Sequence, residues 1–288
     1  MAERVAIVTG GLRGLGQAMA LGLAAAGHRV LAVGHIADDV EPMRIAAHDR
    51  GIPESALLPA VADIRDPEAC TALVDRACNR LGGIHILVNN AGLTFTTISP
   101  DKFRRPSPQS FWECGDTLVQ SVMDTNFTAA DRMARRVAPL LLAQGWGRIV
   151  NVTTKLDTMN RPGSSPYGPS KAALEMATEI RAKELDGTGV TANIVNPGAG
   201  ANTPGMAEEW RTGSRNGSMP PLLEPDEMVA PLLFVVSDAA GGINGFRFDA
   251  NTWDRASPPE LAARRNGRPA GFVLHDAAPW DAVPARAG

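Results

Sequence analysis

Arg4-Val5-Ala6-Ile7-Val8-Thr9-Gly10-Gly11-Leu12-Arg13-Gly14-Leu15-Gly16 is the stretch on which the fold turns. Its first five residues read as a buried strand, and the alanine- and leucine-rich run Gln17 to Ala26 that follows it has the pattern of a helix. Between them lies a glycine-rich turn. Such a turn lets backbone N–H groups approach a pyrophosphate at a helix N-terminus, where the helix dipole favours negative charge. A tight turn alone also asks for glycine, but Gly10, Gly14 and Gly16 together between strand and helix point to a phosphate cradle.

Outward from that turn, strand-like runs recur near 4–9, 29–34, 57–61, 84–89, 147–153, 189–196 and 245–249, and they alternate with helical patterns. The alternation predicts an α/β fold, a doubly wound parallel seven-stranded sheet of Rossmann type with helices on both faces. Ligands of such sheets bind at the carboxyl ends of the strands. One domain over 1–250 is expected, with a C-terminal extension over 251–288 that packs on the domain or on a neighbouring subunit.

Tyr167 is the only tyrosine of the chain. It opens Tyr167-Gly168-Pro169-Ser170-Lys171 at the head of a helical run, so Lys171 lies on the same helix face at i+4. An ammonium beside a phenol favours phenolate, which predicts a tyrosine pKa drawn from about 10 toward neutrality, where proton transfer is efficient. The plain alternative is a tyrosine that only packs its ring and bonds its hydroxyl.

The spacing Gly-x-x-x-Gly-x-Gly after Thr9 differs from the Gly-x-Gly-x-x-Gly fingerprint. With the other motifs it resembles the short-chain dehydrogenase/reductase family in its short single-domain form, over roughly residues 4 to 250. Asn89-Asn90-Ala91-Gly92 ends a strand as the family's Asn-Asn-Ala-Gly motif does. Asp63-Ile64 stands where the family sets an acid and an aliphatic residue against the adenine. Pro197-Gly198 with Thr203 resembles the segment that closes over the nicotinamide. The resemblance implies a catalytic tetrad: Tyr167 as proton donor or acceptor, Lys171 holding the nicotinamide ribose, Asn126 anchoring a water, and a serine. Counting back from Tyr167 by the family's spacing lands instead on Thr154, with Thr153 as a less favoured stand-in. A threonine hydroxyl makes the same hydrogen bond, but its methyl stiffens χ1 and narrows the pocket.

The resemblance thus implies hydride transfer between a nicotinamide and a carbonyl or alcohol. At the end of the second strand, Gly34 occupies the place where an NAD site keeps an acid. Arg13 stands where NADP-users of the family often carry a basic residue, and His35 adds a hydrogen-bonding group. NADP(H) is favoured, with NAD(H) as the alternative. Asp38 and Asp39 are expected to complement the next helix dipole. Within the same chemistry, reduction of a 3-oxoacyl thioester or of an imine are alternatives. A catalytically inactive dinucleotide sensor is the different-class alternative, and intact Tyr167, Lys171 and glycine turn speak against it.

With 288 residues, 44% hydrophobic and 20% charged, the composition suits a soluble globular enzyme. A net charge of −3 gives no reason to expect a nucleic-acid partner. Cys70, Cys78 and Cys114 lack metal-ligand spacing and the five histidines are scattered, so no metal is expected. No apolar run is long enough to span a membrane and no signal-like leader precedes the first strand, which leads to the expectation of a cytoplasmic protein.

Three stretches exceed what the core fold requires and are expected to carry substrate specificity. The first runs from Leu93 to Gly115 and holds Phe95, Phe103, Arg104, Arg105, Phe111 and Trp112; the arginines are candidates for an acidic substrate group. The second, Ala199 to Pro221 with Met206, Trp210 and Met219, reads as a lid over an apolar pocket. The third is the tail, where Pro259 to Arg265 predicts one helix, Arg264, Arg265 and Arg268 face solvent, and Trp253, Phe272 and Trp280 predict docking. The family also forms homo-oligomers through two long helices. The runs Thr117 to Leu142 and Pro169 to Leu185 have the required length, so a homodimer or homotetramer is expected.

Overall fold

The computed structural model describes residues 3–100 and 105–272. Eight strands form one sheet: β1 (Val5–Thr9), β2 (Arg29–Gly34), β3 (Leu57–Val61), β4 (Ile86–Asn89), β5 (Gly147–Asn151), β6 (Val190–Asn196), β7 (Phe246–Asp249) and β8 (Arg268–Pro269). Their order is β3-β2-β1-β4-β5-β6-β7-β8. The first seven run parallel, so the chain crosses over after each strand and reverses direction between β1 and β4.

The expectation of seven strands is corrected by β8, which pairs antiparallel with β7 through Phe246 with Pro269 and Arg247 with Arg268. A two-residue edge strand carrying a proline has no periodicity to read. Proline lacks the N–H of a central strand and is tolerated at an edge.

The helices are α1 (Gly14–Ala25), α2 (Val40–Asp49), α3 (Pro67–Leu81), α4 (Phe95–Ile98), α5 (Asp116–Met123), α6 (Ala129–Ala143), α7 (Leu156–Asn160), α8 (Tyr167–Glu184), α9 (Glu208–Asn216), α10 (Val229–Val235) and α11 (Pro259–Asn266). Local chemistry sets their ends. Asp66 caps α3 by accepting from the Glu68 amide at 2.9 Å, Pro67 fills the first helical position, and Gly82 ends the helix in the left-handed conformation.

Alternate residues of each central strand point to opposite faces. Ala6 and Val8 of β1 join a core built on α1, α10 and α11, whereas Val5 and Ile7 join one built on α3 and α6. Both faces are therefore covered, which is why these strands read as unbroken apolar runs. Ile7, Leu31 and Leu87 are wholly buried, each worth about 1.5–3 kcal/mol relative to exposure. The tail contributes to the first core: Trp253 is 7% exposed and packs edge-on to Phe248 and tilted against Phe234.

The expected run Thr117 to Leu142 is a helix interrupted by one π turn, Asp124–Thr128, between α5 and α6. Such a bulge often marks a functional position. Here it carries Asn126, which is fully buried.

Candidate active site

Gly10 and Gly14 take φ of 63° and 58°, in the left-handed region that favours glycine. A methyl group on Gly16 would overlap the Gly10 carbonyl oxygen, so Gly16 lets α1 approach the end of β1. Thr9 ties β1 to β4: its hydroxyl accepts the amides of Asn90 and Ala91 at 3.1 and 3.2 Å, and the Asn90 amide donates to the Thr9 and Gly10 carbonyls. The first turn of α1 contains no acid, and Arg13 at its N-cap makes no side-chain cap. The N–H groups of this turn are thus available to an anion.

Above the carboxyl ends of the strands lies a cavity of about 1490 Å³. Of the expected site residues, all but Gly16 and Asn126 line it: the turn residues Gly10, Arg13, Gly14 and Leu15, then His35, Asp63, Ile64, Asn90, Ala91, Gly92, Thr154, Tyr167, Lys171, Pro197, Gly198 and Thr203. Gly16 serves the backbone packing just described. Asn126 acts from behind, accepting the Leu93 amide at 2.7 Å and donating to the Leu93 carbonyl at 3.2 Å and to the Ser170 hydroxyl at 3.0 Å. A Cβ on Gly92 would stand 3.1 Å from Asn126 Oδ1 and 3.4 Å from Lys171 Nζ, so asparagine and lysine meet across that glycine.

Two adjacent threonines part company after β5. The Thr153 hydroxyl donates to Glu175 Oε2 at 3.0 Å in the interior, whereas the Thr154 side chain lies by the Tyr167 phenol and favours its ionised form. Lys171 donates to the Val152 carbonyl at 2.8 Å. The expectation that Lys171 brings the phenol toward neutrality needs correction. Burial pushes the Tyr167 phenol up from its ordinary value, and the Thr154 side chain pulls it back in part. Lys171 is itself buried, and desolvation pushes its ammonium down to about 8.

The end of β2 is where the dinucleotide preference is expected to show. A side chain at Gly34 would meet Leu12 at 2.9 Å, so Leu12 fills the place an acid would need. Arg13, about half exposed, lies 3.7 Å from Asp39. Arg65 grips the Asp63 carboxylate through Nε and Nη2, which holds it below the usual carboxylate range.

The specificity stretches divide. Phe95 faces the cavity, with its ring 4.7 Å from that of Tyr167. Phe111 and Trp112 point outward, 70% and 74% exposed, packed edge-to-face on one another. Arg105 pairs with Glu113 at 2.7 Å; Phe103, Arg104 and Trp280 lie outside the described residues. Met206 and Trp210 line the cavity and Met219 does not. The hydroxyls of Thr94 and Thr96 both donate to the Gly205 carbonyl, at 3.0 and 2.7 Å, and fasten the 199–221 segment over α4. Sequence reasoning missed Lys155, Asp157 and Arg161, which line the same cavity. Their position directly after Thr154 was the available signal.

A doubly wound sheet with a glycine turn, and with Tyr167 and Lys171 at its carboxyl edge, is an arrangement suited to a dinucleotide. The short-chain dehydrogenase family model matches residues 4–214, and the chain belongs to that family. An acetoacetyl-CoA reductase of Rhizobium meliloti is 31% identical, with 86% of this chain and 97% of the relative covered. An NADPH-dependent aldehyde reductase of Arabidopsis thaliana is 31% identical over 87% of this chain and 93% of its own. A crystal structure of an actinorhodin polyketide ketoreductase variant with NADPH superposes with a TM-score of 0.71 at 24% identity, covering 84% of this chain and 93% of that one; this likeness bears on the fold alone. Among the described residues no helix is long and apolar enough to cross a membrane, and no cluster of metal-ligating side chains is found.

Proposed function

We propose that the protein is an NADP(H)-dependent oxidoreductase that interconverts a ketone or aldehyde with the corresponding alcohol, with Tyr167 as general acid and base. The observation that carries this reading is the convergence of Thr154, Tyr167 and Lys171 on the cavity that the glycine turn also lines. The residues fit a dinucleotide: the left-handed Gly10 and Gly14 and the uncapped first turn of α1 form a cradle for its pyrophosphate. When bound, the nicotinamide supplies or accepts the hydride at the carbonyl carbon.

Tyr167 hands its proton to the carbonyl oxygen in reduction and takes it back in oxidation. Thr154 donates a hydrogen bond to the same oxygen and helps orient the substrate. Lys171, fixed on the Val152 carbonyl, sets a positive charge beside the phenol. Arg13 is the cation for a 2′-phosphate, supported by the side-chain space at Gly34 that Leu12 already fills. The name of the Arabidopsis relative points the same way.

A 3-oxoacyl thioester is the narrower substrate suggested by the acetoacetyl-CoA relative, but of Arg104 and Arg105, the thin candidates for it, Arg105 is paired with Glu113. The reading includes a homodimer or homotetramer through α5, α6 and α8, whose Leu140, Leu142 and Ile180 are exposed apolar side chains. It also includes a cytoplasmic setting and a C-terminal extension that works with the domain. Tyr167→Phe is expected to lower turnover by about 10²–10⁴-fold while dinucleotide affinity stays within about twofold of the parent. Turnover at the parental rate on a panel of ketones and aldehydes, read by nicotinamide absorbance, refutes the assignment.

A further inference from the structure

Behind Thr154, on the side away from the cavity, lies a row of alternating charges that the proposed chemistry does not use. Arg247 of β7 is 1% exposed. Its Nη2 donates to the Thr154 carbonyl at 2.8 Å, and its Nη1 lies 2.8 Å from Glu175 Oε2. Glu175, wholly buried on α8 one turn after Lys171, also accepts the Thr153 hydroxyl. Asp249 stands 3.5 Å from Arg247 and is held in turn by Arg268 of β8 at 2.5 Å. Asn266 brackets the Asp249 main chain, accepting its amide and donating to its carbonyl, both at 2.9 Å.

Burying such an array costs several kcal/mol per ion, and apolar residues of like volume usually stabilise as well or better. Stability alone therefore does not account for it. Its location suggests a purpose. The ladder of β5 ends at Asn151, paired with Ile194, so Thr154 lies past the last residue that the sheet fixes. The Thr154 carbonyl is instead fixed by a guanidinium with charge partners on α8 and β7. Two of the polar partners, Asn266 and Arg268, come from the segment beyond residue 214, where the family match ends.

We propose that Arg247 is a positioning residue for the acid–base pair: by holding the Thr154 carbonyl it keeps the Thr154 side chain in the cavity beside Tyr167, and the C-terminal segment secures it by locking Asp249 through Arg268. The proposal rests on the roles given above to Thr154 and Tyr167. A displacement on the order of 1 Å at a reacting group costs about 10²-fold in rate. The Thr154 side chain also opposes the upward push of burial on the phenol, so its displacement leaves the phenol higher. Of the charged residues lining the cavity, Lys171, Lys155, Asp157 and Arg161 follow Thr154 or Tyr167 in the chain, whereas Arg13, Asp39, Asp63 and Arg65 lie after β1, β2 and β3. None of them is altered by the variants below.

The test uses Arg247→Met combined with Glu175→Gln, which removes both charges of the pair, and separately Arg268→Ala, a half-exposed side chain whose loss the fold tolerates. In alcohol oxidation the double variant is expected to lower kcat about 10–10²-fold, leave KM for the dinucleotide unchanged, and move the acid limb of the kcat–pH profile to higher pH. Arg268→Ala is expected to move the limb in the same direction by less. Pair and single variants that fold yet keep the parental pH profile overturn the proposal, whatever their melting temperatures. If the double variant does not fold, the Arg268→Ala profile decides alone. Failure of the underlying reading is told apart by Tyr167→Phe, which would then retain turnover in the parental background.

Discussion

At the carboxyl end of the sheet, Tyr167, Lys171 and Thr154 line an open cavity, and the first turn of α1 is left uncapped. At the amino end an equally polar set closes on itself. The Trp146 ring lies between the guanidiniums of Arg4, at 4.1 Å, and Arg148, at 4.3 Å, and its Nε1 donates to Asp238 at 2.9 Å. Arg148, 2% exposed, donates to the carbonyls of Gly147, Gly189 and Ser237. His28 and His85 accept the amides of Arg4 and Val5 through their Nδ1 atoms. Polar residues alone therefore do not mark a site; what separates the two ends is whether the polar side chains face an open cavity or pack against the protein's own backbone and rings.

The sharpest way to break this contrast is to remove a buried group from the closed end. Arg148→Met leaves three carbonyls without their donor and is expected to destabilise by about 3 kcal/mol, a fall in Tm of about 6–10 °C. Kinetics measured well below the transition should give the parental kcat, because Arg148 touches neither the cavity nor the Thr154 carbonyl. A lowered kcat with unchanged Tm reverses the assignment of the two ends. The same logic sets Tyr167→Phe apart as a change in rate rather than in stability.

A smaller effect is expected at the dinucleotide end of the cavity. Arg13 is half exposed and lies near Asp39, so its charge is partly screened before any phosphate arrives. Arg13→Ala is expected to lower kcat/KM with NADP(H) by about tenfold, the worth of one charged hydrogen bond, and to leave the NAD(H) value nearly unchanged. Equal losses with both dinucleotides would show that Arg13 serves the shared pyrophosphate instead.

How much of this was legible depended on whether the deciding interaction was local. The glycine turn could be read because strand, turn and helix are contiguous, and Tyr167 and Lys171 because one helix turn joins them. The choice of Thr154 over Thr153 came from spacing; in the structure the Thr153 hydroxyl is bonded to Glu175. Arg247 was not legible as a support for Thr154, since Thr154 and Glu175 come from other parts of the chain than β7. Its one local signal was the charged pair Arg247 and Asp249 on the same face of β7, opposite Phe246 and Phe248. The expected shift of the phenol failed for a related reason. Spacing places the lysine near the tyrosine, but only the packing of both tells how far burial opposes the charge.

The mildest contrast between the two ends is in their response to acid. Burial pushes both His28 and His85 below the ordinary imidazole value, and nearby Arg4 adds to the shift. The Nδ1 of each accepts a backbone amide, so the neutral ring carries its proton on Nε2, and a second proton would set two donors face to face. The folded pKa therefore lies below the unfolded value of about 6.5. Above that value neither state binds the proton and the contribution to stability is complete. As pH falls from about 6.5 toward the folded pKa values the unfolded chain binds protons the folded one refuses, and stability drops by up to about 1.4 kcal/mol per pH unit for each imidazole. Denaturant midpoints taken between pH 7.5 and 5 are expected to fall with this slope. His28→Asn with His85→Asn, which keeps an acceptor near each Nδ1 position, should flatten it; an unchanged slope in that variant would place the acid sensitivity in the carboxylates of the opposite end.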